Sequence, residues 1–230
     1  MTHRRIKWHR ADFQLPIDEL YRVFKTNIFS NSTRKGFSEL YFEDGVVSGL
    51  YSEEKQFNEE ILSPVGDSIE HIWVDYESIR FSIQQLDKTY LLISIINPRK
   101  SFKFFINYLS SLFEYKYSFQ ALQLNLNNYI DWIRVQDEIE GIRFKKARIS
   151  GLVVNRSAKA AVEITSLANA LSDLRDLVVQ KQYTLDKVVG AFHHRGEPVT
   201  YELTRTGGLL CSEEHEKIFI SFLKDSQIQT

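Results

Sequence analysis

The chain has 230 residues, of which 43% are hydrophobic and 26% are charged. This length and composition are those of a globular protein with a buried core, and they exclude an intrinsically disordered chain. The formal net charge of -1 excludes a chain-wide attraction to nucleic acid or to acidic membranes, so any anion binding must come from a local patch. Cys211 is the only cysteine, which excludes an internal disulfide and fits a reducing compartment.

The sequence shows neither a targeting signal nor a membrane span. The basic N-terminus lacks the apolar run of a signal peptide, and the longest apolar stretch, around Leu91–Ile96, is too short to cross a bilayer. We therefore expect a cytoplasmic protein without a membrane partner.

The N-terminal part of the sequence predicts a helix and then a hairpin. Apolar residues recur at helical spacing over Pro16–Phe29, and proline suits the first turn because its missing N–H costs nothing there. Two strand-like runs follow, Phe37–Glu43 and Val46–Tyr51, and the Asp44-Gly45 pair between them is typical of a two-residue hairpin turn.

The segment Ser52–Glu77 is acidic. The pattern predicts an exposed helix or loop that ends at Ser63-Pro64, and then a strand over Ile69–Tyr76. The segment has a formal charge of -7, from Glu53, Glu54, Glu59, Glu60, Asp67, Glu70, Asp75 and Glu77 against Lys55.

A strand–strand–helix order comes next. Ile79, Phe81 and Ile83 alternate with polar residues, Tyr90–Ile96 is a nearly continuous apolar strand, and Ser101 can cap a helix with one apolar stripe. A further strand is predicted from the alternation of Leu122, Leu124 and Leu126.

The same order recurs after Gly141. Strands are predicted over Ile142–Val154 and Ala160–Ile164, and Thr165 or Ser166 can cap the helix that follows. A second short helix is predicted to begin at Thr184 because four apolar residues are spaced as on a helical face: Leu185, Val188, Val189 and Phe192.

The end of the chain repeats the theme once more. Val199, Tyr201 and Leu203 alternate, Gly207-Gly208 turns the chain, and Ser212 can cap a final helix. Together these elements predict an α+β fold of antiparallel sheets, built from repeated β-hairpin–helix units with the helices packed on one face. Weak periodicity at 127–140 predicts a boundary between an N-terminal subdomain, 1–130, and a C-terminal subdomain, 141–230.

Three groups of residues could carry chemistry. His193-His194 could supply a metal ligand or a general base, but no further ligand lies close in sequence, and a polar connection explains the pair as well. Asp75 and Glu77 could chelate a divalent ion or form solvated acidic surface. Cys211 with His215 could form a nucleophile–base pair, although a buried structural thiol is commoner. The sequence therefore predicts no catalytic residue, no metal site and no cofactor.

The basic residues are the more informative feature. They form an acid-free stretch after Gly141, and further basic residues lie near the N-terminus around Trp8. Such a stripe can follow phosphates without reading bases. It could equally be a solvated face, or pair with the acidic segment in an oligomer interface. The predicted nucleic-acid-binding residues are Arg143, Lys145, Lys146, Arg148, Arg156 and Lys159, with Arg4, Arg5 and Lys7.

One family is similar in the order of its elements. The segments concerned are the run Ile72-Trp73-Val74-Asp75, the strand pair, the helix near Ser101–Phe113, the strand near Leu122–Leu126, Asp131-Trp132-Ile133 and the closing Thr200–Leu223. Their order resembles that of recombination-associated DNA-binding proteins of the RdgC type. Phage-exclusion proteins with a related architecture are a second comparison. The resemblance covers about the last two-thirds of the chain, and it implies sequence-independent DNA binding, self-association and no catalysis.

The sequence thus favours a non-enzymatic, sequence-independent nucleic-acid-associated protein, acting as a dimer in recombination or phage defence. One alternative is a protein-interaction or adaptor subunit of a larger complex. A further alternative is a small metal-dependent hydrolase that uses His193, His194 or the Asp75/Glu77 pair.

Overall fold

The computed structural model describes residues 3–62, 64–66, 68–98, 101–114, 116–178 and 182–228. Within these residues it has eleven strands and five α-helices, and the strands pair antiparallel wherever their register is defined. The predicted mixture of helices and antiparallel strands is therefore confirmed. Asp67, one of the predicted acidic residues, lies outside the described part of the chain.

The bounds of the elements are as follows. The strands are β1 (His3–Asp12), β2 (Lys35–Glu43), β3 (Val46–Leu62), β4 (Ser68–Gln85), β5 (Leu91–Ile96), β6 (Ser118–Ala121), β7 (Ile139–Val153), β8 (Lys159–Thr165), β9 (Thr184–His194), β10 (Glu197–Thr204) and β11 (Gly208–Ser212). The helices are α1 (Ile17–Thr26), α2 (Lys103–Leu112), α3 (Leu126–Arg134), α4 (Ala170–Leu177) and α5 (Glu216–Ile228), and a 3-10 turn (Glu213–His215) precedes α5.

The chain divides into two compact units. Unit 1 comprises Met1–Arg10, Leu86–Leu92 and Phe119–Thr230, and unit 2 comprises Ala11–Gln85 and Ile93–Ser118. The subdomain boundary at 127–140 stays a prediction, because compactness does not measure which segments fold independently. Among the described residues, no helix is both long enough and apolar enough to cross a bilayer.

Unit 2 is built on an aromatic core. Its strands lie in the order β2, β3, β4, β5. Phe24 of α1 stacks on Phe37 of β2 with ring centroids 4.2 Å apart, and Phe81 of β4 stacks on Phe105 of α2 at 5.4 Å. All four rings are fully buried, so the predicted helix stripes and the alternation in β4 do mark the inward faces.

The first hairpin of unit 2 forms as predicted. Asp44 and Gly45 join β2 to β3 with φ angles of 50° and 72°, the left-handed conformation that a type I′ turn requires at both central residues.

The acidic segment, however, is neither a helix nor a loop. β3 and β4 stay paired from Val46↔Gln84 to Leu62↔Ser68, so the helix or loop predicted after Ser52 is wrong. Glutamates spaced along an exposed strand leave no apolar periodicity, and the pairing partner lies some distance along the chain. We call residues 56–74, the end of this hairpin, the arm.

Unit 1 has a sheet with the strand order β1, β11, β10, β9, β7, β8, and β6 also pairs with β1. One face of this sheet packs against α3, α4 and α5 in a single hydrophobic core. Tyr129 of α3 is central to it, with its ring 5.7 Å from that of Tyr201 and 6.0 Å from that of Phe219. We call the opposite face of the unit 1 sheet the open face.

Two predicted elements of unit 1 are wrong. The segment Thr184–Phe192 belongs to strand β9 and is not a helix. In its pairing with β7, a bulge leaves Asp186 as an extra residue. The bulge turns both Leu185 and Val188 inward although they are three residues apart, which imitates helical spacing. The leucines at 122–126 are buried, but they belong to an extended connection and the start of α3 instead of a strand.

Candidate nucleic-acid interface

The side chains of β7 sort onto the two faces of the unit 1 sheet through its bulges. Phe144, Ala147 and Ile149 are buried in the core. Arg143 lies opposite Ala191 of β9 and Lys146 lies opposite Val189, so Lys145 is an extra residue between the two pairs. On a regular strand, Arg143 and Lys145 would share a face. The bulge corrects this expectation, because Arg143 shares the open face with Lys146 and Arg148 instead.

Cations from other strands lie on the same open face. On β1, Arg5 and Lys7 alternate with the buried Ile6 and Trp8. On β8, Lys159 alternates with side chains that pack on the core. The open face thus carries basic side chains from four strands, namely Arg5, Lys7, Arg143, Lys146, Arg148, Lys159 and Lys187, against the carboxylates of Glu140, Glu163 and Glu202.

A small ion network crosses the open face from β8 to β10. Lys146 Nζ lies 3.2 Å from Oε1 of Glu163, and Lys187 Nζ lies 3.3 Å from Oε2 of the same carboxylate and 3.8 Å from Glu202. The hydrogen bonds from Lys146 and Lys187 hold the pKa of Glu163 below its usual value. The two lysines balance the two carboxylates, so the positive charge of the open face comes from its other basic residues.

Lys187 was missed by sequence reasoning. It falls in the segment predicted to be a helix, and its place opposite Arg148 depends on the register between β9 and β7. A strand interpretation of 184–194 would have put Lys187 on a sheet, but no local pattern identifies its cross-strand neighbour.

Several predicted residues carry no ion pair. Among the described residues, no salt bridge involves Arg143, Arg148 or Lys159, and the side chains of all three are exposed. Their charge is therefore available to a ligand. Lys7 differs, because its Nζ donates to the Thr206 carbonyl oxygen at 2.5 Å and burial lowers its pKa.

Arg4 does not belong to this surface. Its guanidinium binds Glu213 at 2.6 Å and also Glu216, which places it on the helix side of the sheet, next to α5. The side chains of Arg4 and Glu216 are only 17% and 7% exposed. Nucleic-acid binding by Arg4 stays a prediction, but strand β1 turns this side chain away from the open face and toward the two glutamates. Arg156 lies apart from the strands, in the exposed turn between β7 and β8.

The two adjacent histidines lie at the end of β9. His194 Nε2 is 3.4 Å from Glu138, whose carboxylate also accepts two hydrogen bonds from Arg195, at 2.7 and 3.1 Å. His193 is exposed and lies opposite Glu140. In the part of the chain that the structure describes, no three His, Cys, Asp or Glu side chains are grouped so as to hold a metal ion.

The acidic pair on β4 is occupied by a lysine. Asp75 lies opposite Lys55, and Glu77 lies opposite Glu53. The Lys55 ammonium is 2.8 Å from Glu53 and 3.9 Å from Glu77. Glu77 therefore forms part of an ion network at the base of the arm, and Asp75 lies beside it.

Cys211 and His215 do not form a nucleophile–base pair. The thiol is fully buried in the unit 1 core, and burial raises its pKa to about 12. His215 Nδ1 is instead 2.5 Å from the Ser212 hydroxyl. A thiol with so high a pKa is not a thiolate at neutral pH, so the structural role is the one that fits.

No protein-family model matches the chain, and no curated protein sequence matches it.

Proposed function

We propose that the protein is a non-enzymatic, sequence-independent nucleic-acid-binding protein of the cytoplasm, and that the open face of unit 1 is its binding surface. The observation that carries the proposal is the convergence of basic side chains from β1, β7, β8 and β9 on a sheet face that is opposite the core. Arg143, Arg148 and Lys159 supply exposed charge, and none of them forms an ion pair with another residue that the structure describes.

The dimensions of the surface support phosphate binding. Neighbouring strands lie about 4.8 Å apart, so the six strands from β1 to β8 span roughly 24 Å. Duplex DNA carries one negative charge per about 1.7 Å of axis, so such a face can contact several phosphates at once. Cations distributed over a sheet meet the phosphate backbone, and contacts to the backbone carry no direct sequence information.

The similarity in element order to RdgC-type proteins supports DNA as the nucleic acid, and recombination or phage defence as the setting. We also propose that the fold is built from repeated hairpin–helix units, and that residues 141–230 form a C-terminal subdomain that contains most of the open face.

The test is charge reversal on the open face. In a gel-shift assay at low salt, Arg143→Glu with Arg148→Glu should weaken binding to random-sequence duplex DNA by at least tenfold, because each lost phosphate contact removes released counterions. The matched control is Arg22→Glu with Lys116→Glu, two exposed cations of unit 2. Equal affinity of the open-face variant and the wild type would contradict the proposal, as would an equal loss in the control.

A further inference from the structure

The arm is a two-stranded ribbon, and among the described residues no further strand reaches its edges, because β5 has six residues and begins after the turn at Leu86–Tyr90, at the other end of β4. β2 pairs with β3 only as far as Glu53, and beyond that point β3 has β4 as its neighbour. From Gln56 to Leu62 the arm extends roughly 20 Å at about 3.4 Å per residue. A two-stranded hairpin alone is marginally stable in water. Because a partner would stabilise a ribbon of this length, we expect the arm to bind another surface.

The arm exposes apolar side chains on both faces. On one face Phe57 and Trp73 stack, with Ile61 and Ile69 beyond them, and on the other face Ile72 and Val74 follow each other along β4. Trp73 is 39% exposed and Ile69 59%. The pair Glu59 and His71 separates the two apolar pairs of the first face, and exposed apolar side chains interleaved with polar ones in this way are typical of an interaction site.

The charge of the arm excludes nucleic acid as its ligand. Residues 56–74 contain Glu59, Glu60, Asp67 and Glu70 and no lysine or arginine. Glu60 and Glu70 lie directly opposite each other, and like charges in that position destabilise a strand pair. A basic surface bound to the arm would relieve this repulsion.

Unit 1 presents a surface with the matching properties. The open face is basic, and half-buried Val189 and Leu210 lie among its cations. We propose that the arm of one copy of this chain docks on the open face of a second copy, forming a two-fold dimer. The apolar arm residues would cover the aliphatic part of that face, while the glutamates would meet Arg143 and Arg148.

A complementary charge swap tests this docking without nucleic acid. The arm variant is Glu60→Lys with Glu70→Lys, and the face variant is Arg143→Glu with Arg148→Glu. In analytical ultracentrifugation at low salt, the wild type should sediment as twice its 27.0 kDa mass, and each variant alone as a monomer. A chain that combines both pairs of substitutions should regain the dimer, because the charges are again opposite.

Controls and a deletion separate the other possibilities. Asp173→Lys with Asp176→Lys makes the same change in net charge as the arm variant, but at exposed positions of α4, and should leave the dimer intact. Replacing 56–74 by Asn-Gly joins the paired Lys55 and Asp75 through a two-residue turn, and should also give a monomer. A monomeric wild type would overturn the proposal. A dimer that loses its stability with the arm variant but not with the face variant would show arm–arm pairing instead.

The docking has a consequence that does rest on the proposed function. If nucleic acid and the arm use one face, duplex DNA should dissociate the dimer, and the arm deletion should bind DNA at least as tightly as the wild type. Failure of the dimer with intact DNA binding would overturn only the docking. A stable, charge-swappable dimer that does not bind DNA would overturn only the nucleic-acid function.

Discussion

Phe57 and Trp73 face each other across the arm with ring centroids 5.3 Å apart and ring planes inclined by 14°. Their stacking joins β3 to β4 at a position where neither strand pairs with another strand of the described residues, and both rings remain partly exposed. The contact stabilises the ribbon locally but contributes nothing to either hydrophobic core.

Removing this contact should therefore leave the global stability nearly unchanged. Trp73→Ala is expected to lower the free energy of unfolding by less than about 1 kcal/mol, the usual worth of a cross-strand pair. Phe37→Ala, which empties a fully buried site in unit 2, should cost about 3–5 kcal/mol. Urea denaturation followed by circular dichroism compares the two variants. Similar losses would mean that the arm is part of the cooperative core.

Arg4 should matter for stability and not for ligand binding. Arg4→Ala leaves the buried Glu216 carboxylate with one partner fewer, and breaking a buried ion pair in this way costs about 3 kcal/mol. Lys159→Ala, an exposed change on the open face, should change stability by less than about 0.5 kcal/mol. Thermal denaturation measures both effects. At a temperature where Arg4→Ala is folded, its affinity for DNA should equal that of the wild type, and a tenfold loss would return Arg4 to the interface.

His9 should make the protein less stable in mild acid. Burial, and after it the positive charge of Lys7, lower the pKa of His9 to about 4, while its ring stacks on Phe119 at 4.5 Å. Because the unfolded chain binds this proton more readily than the folded chain, the stabilisation is present above pH 6.5 and is lost as the pH falls toward 4. His9→Phe should show a shallower decline in the free energy of unfolding between pH 6.5 and 4. An identical decline would show that His9 does not titrate with unfolding.

Cys211 should react with thiol reagents only after unfolding. Its raised pKa keeps the buried thiol neutral at pH 8, and alkylation requires an accessible thiolate. Mass spectrometry after iodoacetamide treatment should find the native protein unmodified and the urea-denatured protein fully labelled. Rapid labelling of the native protein would restore a reactive role for this thiol.

The sequence predicts the elements whose signals are local. Asp44-Gly45 specifies its own turn, and alternation at Ile79, Phe81 and Ile83 gives the inward face of β4 because each pattern repeats with the period of a strand. The apolar run at Leu91–Ile96 forms β5 with five of its six residues buried.

Elements whose signals depend on distant partners were missed. β1 was not recognised as a strand because its buried residues, Ile6, Trp8 and Ala11, are interspersed with charged ones and its pairing partner β11 lies near the other end of the chain. The extra residue at Asp186 changes the apparent period of β9 from that of a strand to that of a helix. A bulge is a property of two paired strands, so one strand's sequence does not reveal it.

The candidate site was predictable as a stretch but not as a surface. The acid-free run after Gly141 identified β7 as the source of most of its cations. The ion pairs of Glu163 and the position of Lys187 on this surface depend on cross-strand register. The position of Arg4 away from the surface depends on its contact with α5.

The salt dependence of DNA binding tests the open face most directly. We expect the logarithm of the binding constant to fall linearly with the logarithm of the salt concentration, with a slope of about -0.9 for each phosphate neutralised. Arg143→Ala with Arg148→Ala should reduce that slope by about 2, equally for duplexes of unrelated sequence. A slope unchanged by these substitutions, or binding by the wild type that does not respond to salt, would contradict the assignment of the open face as the phosphate-binding surface.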